Sequence, residues 1–329
     1  MTILVTGGAG YIGSHMVNLL LDRGEKAVVL DNLTTGFRWA VPRGASLLVG
    51  DFGDRDFVAG ILTRHDIEAV IHFAAKIVVP DSVADPLGYY ENNTAKARAL
   101  LQTVVEHKVK HFIFSSTAAV YGEPKTTPVR ETDETSPINP YGRSKLMVEW
   151  MLQDTAHAHP LTYVALRYFN VAGADPQGRA GQSTPNATHL IKVAVQAALG
   201  MRKGMDVFGV DYPTPDGSCV RDYIHVTDLA RAHMDALAHL RAGGASQICN
   251  VGYCKGYSVL EVIDTVKRVS GVDFEVRIVG RRPGDPARIV ASNDRVRALG
   301  WKPEHDDLET IVRQALAWEK GLPAKMAAV

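Results

Sequence analysis

The sequence predicts an α/β protein: a doubly wound parallel sheet covered by helices on both faces, then a smaller C-terminal α/β domain. Three observations carry that expectation. Short continuous apolar runs alternate with amphipathic stretches through the first half, the pattern of strands buried on both faces. A glycine-rich turn joins the first run to the first helix. After Asn170 the texture loosens into Gly-, Ala- and Pro-rich connections, which puts a domain boundary near residue 170.

Bulk properties agree with a large folded unit. The 329 residues are 46% hydrophobic and 22% charged, enough for a substantial core. Lys+Arg and Asp+Glu are 36 each, and a formal net charge of +0 argues against a nucleic-acid partner. No apolar run approaches the roughly 18 residues of a membrane span. The start, Met1 to Gly7, reads as a strand rather than a signal peptide. Three cysteines, Cys219, Cys249 and Cys254, are too few and too odd for a disulfide scaffold and suit a reducing cytoplasm.

Taken in order, residues 3–5 form the first strand, 13–22 the first helix and 26–30 the second strand. Residues 47–49, 69–73, 112–114 and 161–166 are further buried strands. Residues 171–187 read as an irregular connection, 189–199 as a helix and 212–217 as a second loop. Segments of the second half, such as 220–245, are expected to pack back on the first domain, which spans residues 1–170.

The turn after the first strand is Thr6-Gly7-Gly8-Ala9-Gly10-Tyr11-Ile12-Gly13, with glycines at 7, 10 and 13. Glycine permits the tight turn and a close approach of backbone to a pyrophosphate, and the helix N-terminus favours its charge. Asp31 follows 18 residues after Gly13, at the end of the second strand. A carboxylate there accepts hydrogen bonds from ribose hydroxyls and repels a 2′-phosphate, so NAD is expected rather than NADP. Asp51-Phe52 and Phe73-Ala74 end two more strands. Asp51 there either accepts from an adenine amino group or caps a helix.

Tyr141 and Lys145 lie four apart and share one face of a helix. A phenol with an ordinary pKa of about 10 needs a nearby cation to serve as a base near neutrality. Ser115-Ser116-Thr117 follows another strand, at the end where open α/β sheets bind ligands. Thr117, Tyr141 and Lys145 together make a hydride-transfer centre with a phenolic base.

These features resemble the extended short-chain dehydrogenase/reductase superfamily, whose sheet is the Rossmann fold, and within it the nucleotide-sugar 4-epimerases. The similarity runs through TGGAGYIGSH at 6–15, LDNL at 30–33, IHFAA at 71–75, YYENN at 89–93 and FIFSSTAAVYG at 112–122. It continues through PYGRSKLMVE at 140–149, LRYFN at 166–170 and DYPTPDGSCVRDYIHVTDLA at 211–230, the most specific of these. The resemblance implies a homodimer that holds NAD tightly and 4-epimerises UDP-glucose and UDP-galactose. In such enzymes the tyrosine takes the proton of the 4-hydroxyl while hydride leaves C4. The 4-ketose then rotates and receives the hydride on its other face. It implies cofactor contacts from Gly7, Gly10, Tyr11, Ile12, Gly13, Asp31, Asn32, Gly36, Asp51, Phe52, Phe73, Ala74, Asn92, Thr117, Tyr141, Lys145 and Phe169. It implies nucleotide-sugar contacts from Asn170, His189, Leu190, Phe208, Arg221, Arg282 and Asp285, arginines suiting a diphosphate. Ile289 falls where the family gates the space beside the sugar's 2-substituent, or is an ordinary core isoleucine.

Two departures stand out: Thr117 replaces the serine of many members, and His189 replaces asparagine in some. Rival readings are weaker. Dehydratases need an acid–base pair after the strand-end hydroxyl, where this chain has Ala118 and Ala119. A non-catalytic NAD-binding regulator has no need of the intact Tyr–Lys pair, whereas a 4-epimerase of UDP-N-acetylglucosamine, UDP-xylose or a UDP-uronate stays close. No metal is expected, because Cys249 and Cys254 lack two further well-spaced ligands. His72 and His225 read as core histidines.

Overall fold

Each expected strand forms, its ends lying within about two residues of the apolar core that nucleates it. The computed structural model describes residues 1–185, 187–282 and 284–327. The first half runs β1 (Thr2–Thr6), α1 (Tyr11–Asp22), β2 (Lys26–Asp31), β3 (Ser46–Val49), α2 (Arg55–His65), β4 (Ile67–His72), α3 (Val79–Ala84), α4 (Pro86–Tyr90), α5 (Lys96–Glu106), β5 (His111–Ser115), α6 (Pro140–Ala158) and β6 (Thr162–Tyr168). The second half runs β7 (Asn170–Ala172), α7 (Leu190–Ala198), β8 (Gly204–Phe208), β9 (Val220–His225), α8 (Val226–Arg241), β10 (Gln247–Val251), β11 (Gly256–Ser258), α9 (Val259–Ser270), β12 (Glu275–Val279), β13 (Arg288–Ile289), α10 (Asp294–Ala298) and α11 (Leu308–Ala327).

Seven parallel strands form the main sheet in the order β10-β6-β5-β4-β1-β2-β3. The chain winds outward from β1 to β3, then crosses back to β4 on the other side of β1. That reversal opens a crevice at the C-terminal ends of β1 and β4. Alternate residues of each strand serve opposite faces. Ile3, Val5 and Ile71 pack with Met16 of α1 and Leu229 of α8, whereas Leu4, Val28 and Val70 pack with Val58, Leu100 and Val148 of α2, α5 and α6. All are essentially inaccessible to solvent, and each such side chain stabilises the fold by about 1.5–3 kcal/mol.

The seventh strand comes from the second half. β10 pairs parallel with β6, Cys249 opposite Leu166, and α8 lies against α1, β5 and β6. After β6 the chain leaves this sheet. β7 pairs with β9, which also carries β11 and β13, while β8 and β12 form a separate two-stranded sheet. The stretch expected to be irregular from 171 therefore opens with strand residues, because β9 supplies a partner 53 residues away that local composition does not reveal. His72 is buried with Nδ1 2.6 Å from Thr6 Oγ1, and His225 caps α8 by accepting from Thr227 N at 3.1 Å. Among the described residues no helix is long and apolar enough to cross a membrane.

Candidate active site

The glycine turn is shaped by contacts that exclude side chains. Gly7 has φ +71°, and a Cβ there would lie 2.7 Å from Ala74 N. A Cβ on Gly13 would lie 2.2 Å from the Gly7 carbonyl oxygen, so α1 packs onto the turn only because that atom is missing. The N-cap of α1 is Gly10, and no side chain caps the first turn. Its N–H groups and dipole are left for an anion beside Tyr11, Ile12 and Gly13.

Asp31 joins this turn to the next loop. Its Oδ2 accepts from Ala9 N at 3.0 Å and its Oδ1 from Leu33 N at 2.8 Å. Gly36 sits against Ala9 and Asp31 with no room for a Cβ. Asn32 is exposed and accepts from Thr34. Asp51 does not cap a helix. Its carboxylate accepts from Gly53 N at 2.8 Å and pairs with Lys96, and Asp54 caps α2 instead. Phe52 is buried edge-on to His72, Phe73 stacks on His233 at 4.7 Å, and Ala74 closes over Gly7. Asn92 donates to Asn93 at 3.0 Å within a π-helical turn at 91–95. Such turns are rare, and here Asn93 is buried and ties the turn to Lys76 and Ser144. These residues fit a dinucleotide: a side-chain-free cradle at a helix N-terminus, with a carboxylate 22 residues further on in contact with it.

At the end of β5 the catalytic candidates meet. The Thr117 hydroxyl accepts from Ala119 N at 3.1 Å and acts on the buried Tyr141 phenol, lowering its pKa. Lys145 Nζ donates to the Ser115 carbonyl at 2.9 Å and lies 4.8 Å from the Phe114 ring centroid. The protein alone does not depress the phenol. Burial pushes Tyr141 up to about 12 although the Thr117 hydroxyl opposes it. Burial likewise pulls Lys145 down to about 7, opposed by the Glu149 charge. The expected phenolate therefore needs positive charge from outside the chain, because the one nearby cation is itself desolvated.

The nucleotide-sugar candidates form a second group. A small pocket is lined by Asn170, His189, Leu190, Lys192, Trp318 and Glu319 among others. It lies beside the C-terminal helix rather than at Tyr141. Gln182 Nε2 is 2.8 Å from His189 Nδ1, and Lys192 Nζ reaches the Gln182 carbonyl at 2.6 Å and Glu319 at 2.5 Å. Crowding and the Lys192 charge hold His189 below its ordinary pKa. Arg221 Nη1 donates to the Pro286 carbonyl at 2.7 Å, and its Nη2 lies 3.6 Å from Asp285. The Arg282 guanidinium stacks on Phe208 at 4.1 Å. Ile289 pairs with Arg221 across β13 and β9 but is only 7% exposed, packed among Ala118, Tyr121, Leu146 and Phe169. It is part of the wall behind the catalytic turn.

Gln182, Glu149 and Arg167 were not singled out from sequence. The last two form a fully buried ion pair under Ser116. Glu149 stands four residues beyond Lys145, the helical spacing that could have flagged it.

Known proteins agree with this geometry. The family described as NAD dependent epimerase/dehydratase matches residues 3–252. The UDP-glucose 4-epimerase of Azospirillum brasilense is 55% identical over 97% of this chain and 92% of its own. The crystal structure of UDP-glucose 4-epimerase from Brucella ovis in complex with NAD has a TM-score of 0.94 at 44% identity, covering 96% of this chain and 97% of that one. The UDP-Glc/GlcNAc 4-epimerase of Campylobacter jejuni has a TM-score of 0.86 at 47% identity, covering 97% and 99%. The chain belongs to the NAD-dependent epimerase/dehydratase family.

Proposed function

We propose that the protein is an NAD-dependent nucleotide-sugar 4-epimerase that interconverts UDP-glucose and UDP-galactose. The observation that carries the reading is the meeting of Thr117, Tyr141 and Lys145 at the end of β5, with only β4 between that strand and the glycine cradle of β1 and α1. NAD, when bound, supplies the acceptor and then the donor of hydride at sugar C4. The turn at Gly7, Gly10 and Gly13 holds its pyrophosphate, and Asp31 its adenosine ribose, with Asn32, Gly36, Asp51 and Phe52 on the same side.

Tyr141 removes the proton from the sugar's 4-hydroxyl and later returns it to the 4-oxo oxygen. The Thr117 hydroxyl, which acts on the phenol, orients that oxygen toward Tyr141. Lys145 is locked on the Ser115 carbonyl, and its charged form, together with the cationic nicotinamide, favours the phenolate. Arg221 and Arg282 hold the diphosphate, Phe208 packs on the uracil, and Asn170, His189 and Leu190 line the nucleotide's pocket. The UDP group stays anchored while the ketose turns. Residues 1–170 form the dinucleotide part and 171–329 most of the nucleotide-sugar part, with α8 and β10 returning to the first.

Two further readings belong here. Helices α3, α4 and α6 pack on one another and leave Val83, Leu87 and Trp150 64%, 78% and 52% exposed, a surface suited to a second copy in a homodimer. Its three unpaired cysteines suit a cytoplasmic setting.

The test uses protein purified without added NAD and offered UDP-galactose and UDP-N-acetylgalactosamine in parallel. Epimerisation of UDP-galactose with no external NAD is the expected result. Turnover of both sugars would extend the activity to N-acetylated substrates, consistent with the non-aromatic Ile289. Turnover of neither by NAD-loaded protein would overturn the substrate assignment.

A further inference from the structure

Helix α6 meets the end of β5 as a ladder. Tyr141, Lys145 and Glu149 occupy one face at intervals of four, and each touches a different residue of the strand-end turn. Tyr141 faces Thr117, Lys145 donates to the Ser115 carbonyl, and Glu149 accepts from the Ser116 hydroxyl. The first two rungs belong to the transfer centre. The third is a carboxylate with no solvent exposure.

Arg167 of β6 holds that carboxylate at both oxygens, Nε at 3.0 and 3.2 Å and Nη2 at 2.6 Å. Arg167 Nη1 then donates to the Tyr121 hydroxyl at 2.9 Å, and that hydroxyl donates to Asn250 of β10 at 2.6 Å. A buried ion pair is a poor source of stability, since well-packed apolar residues would serve the core as well or better. Its placement under the reacting turn points to another use.

We propose that Glu149 is a positioning residue of the transfer centre, pinning the Thr117 turn through Ser116 and stabilising the Lys145 ammonium by its charge. This rests on the epimerase reading of the site. The groups facing Lys145 leave Glu149 as the one carboxylate acting on it among the described residues. On α6 the neighbours are Tyr141 and Glu149 itself. β5 presents the Ser115 carbonyl and the Phe114 ring. β4 presents His72, held neutral by burial at about 3, and the Lys145 charge adds to that shift. β6 presents Tyr168, whose phenol burial holds well above its ordinary pKa, and Arg167, committed to Glu149. α8 presents His233, held at about 4 and 2.9 Å from the Ser115 hydroxyl. Burial already lowers Lys145 to about 7 with Glu149 in place, so removing that charge lowers it further.

The two effects separate by mutation. With NAD-loaded enzyme and UDP-galactose, kcat is measured against pH. For Glu149→Gln the alkaline limb of kcat moves down by about one pH unit, a tenfold loss on that limb, with KM and bound NAD unchanged. For Ser116→Ala kcat falls about tenfold at every pH and the limb stays put. Glu149→Gln leaves Arg167 unpaired, so the double variant Glu149→Gln/Arg167→Met, which removes both buried charges, guards against misfolding and gives the same limb shift. The proposal fails if the limb of the single or double variant superimposes on wild type, or if Ser116→Ala leaves kcat unchanged. The Lys145 ammonium is also followed directly by side-chain ¹⁵N NMR against pH in wild type and the double variant. Inactivity of wild type on UDP-galactose would then strike the substrate reading alone, while an unshifted Lys145 titration would strike this one.

Discussion

Gly13→Ala tests whether the glycine cradle is built by close packing or merely by flexible turns. The new Cβ would sit 2.2 Å from the Gly7 carbonyl oxygen, 2.7 Å from Gly8 Cα and 2.9 Å from Gly7 C. Ordinary contacts begin near 3.5 Å, so α1 and the turn must separate by roughly 1 Å. The obstructing atoms are backbone and cannot swing aside. Overpacking of this kind costs about 1–3 kcal/mol, and it moves the N–H groups meant for the pyrophosphate. We expect the urea midpoint of the NAD-free variant to fall accordingly and NAD affinity, measured by calorimetry on stripped protein, to drop about tenfold or more. Gly24→Ala is the control. Gly24 has φ +73° with nothing within 4 Å of the added atom, so it costs only the left-handed strain of about 1–2 kcal/mol and leaves NAD affinity intact. Equal effects of the two substitutions on NAD binding, or wild-type affinity in Gly13→Ala, would refute the packing argument.

Tyr141→Phe removes the proton carrier and should lower kcat by about 10²–10⁴-fold while NAD stays bound, as read by absorbance of the released cofactor. His15, His72, His225 and His233 are buried and held at about 4, 3, 3 and 4. The unfolded chain therefore takes up protons that the native state refuses, and stability is lost as pH falls from about 6.5 toward 4; denaturant midpoints across that window check the sign. Glu319→Gln leaves Lys192 buried without its carboxylate and should cost about 3–5 kcal/mol in urea unfolding, whereas Lys192→Met/Glu319→Leu should recover most of it. Trp150→Glu should convert a dimer to monomer in light scattering coupled to size exclusion, with the monomer still folded by circular dichroism.

The sequence by itself determined the strands of the first half and the glycine turn between the first strand and the first helix. Short continuous apolar runs bounded by turn residues read as strands buried on both faces, glycines at 7, 10 and 13 suit a tight strand–helix junction, and a Tyr–Lys pair at i, i+4 shares one helix face wherever the helix lies. These are short-range rules, and they survive folding. Tertiary structure decided what depends on partners distant in sequence. β10 completes the sheet from beyond residue 246, and β7 becomes a strand only because β9 lies beside it. Asp51 yields the cap of α2 to Asp54 because its carboxylate is taken by Gly53 and Lys96. Ile289 is buried because Phe169 and Ala118 pack against it, a contact its own segment does not announce. The charge state of the centre was the least legible of all. Spacing placed a cation four residues from the phenol, but burial desolvates both groups, raising Tyr141 and lowering Lys145. Desolvation is a property of everything packed around a group, and no local pattern of residues records it.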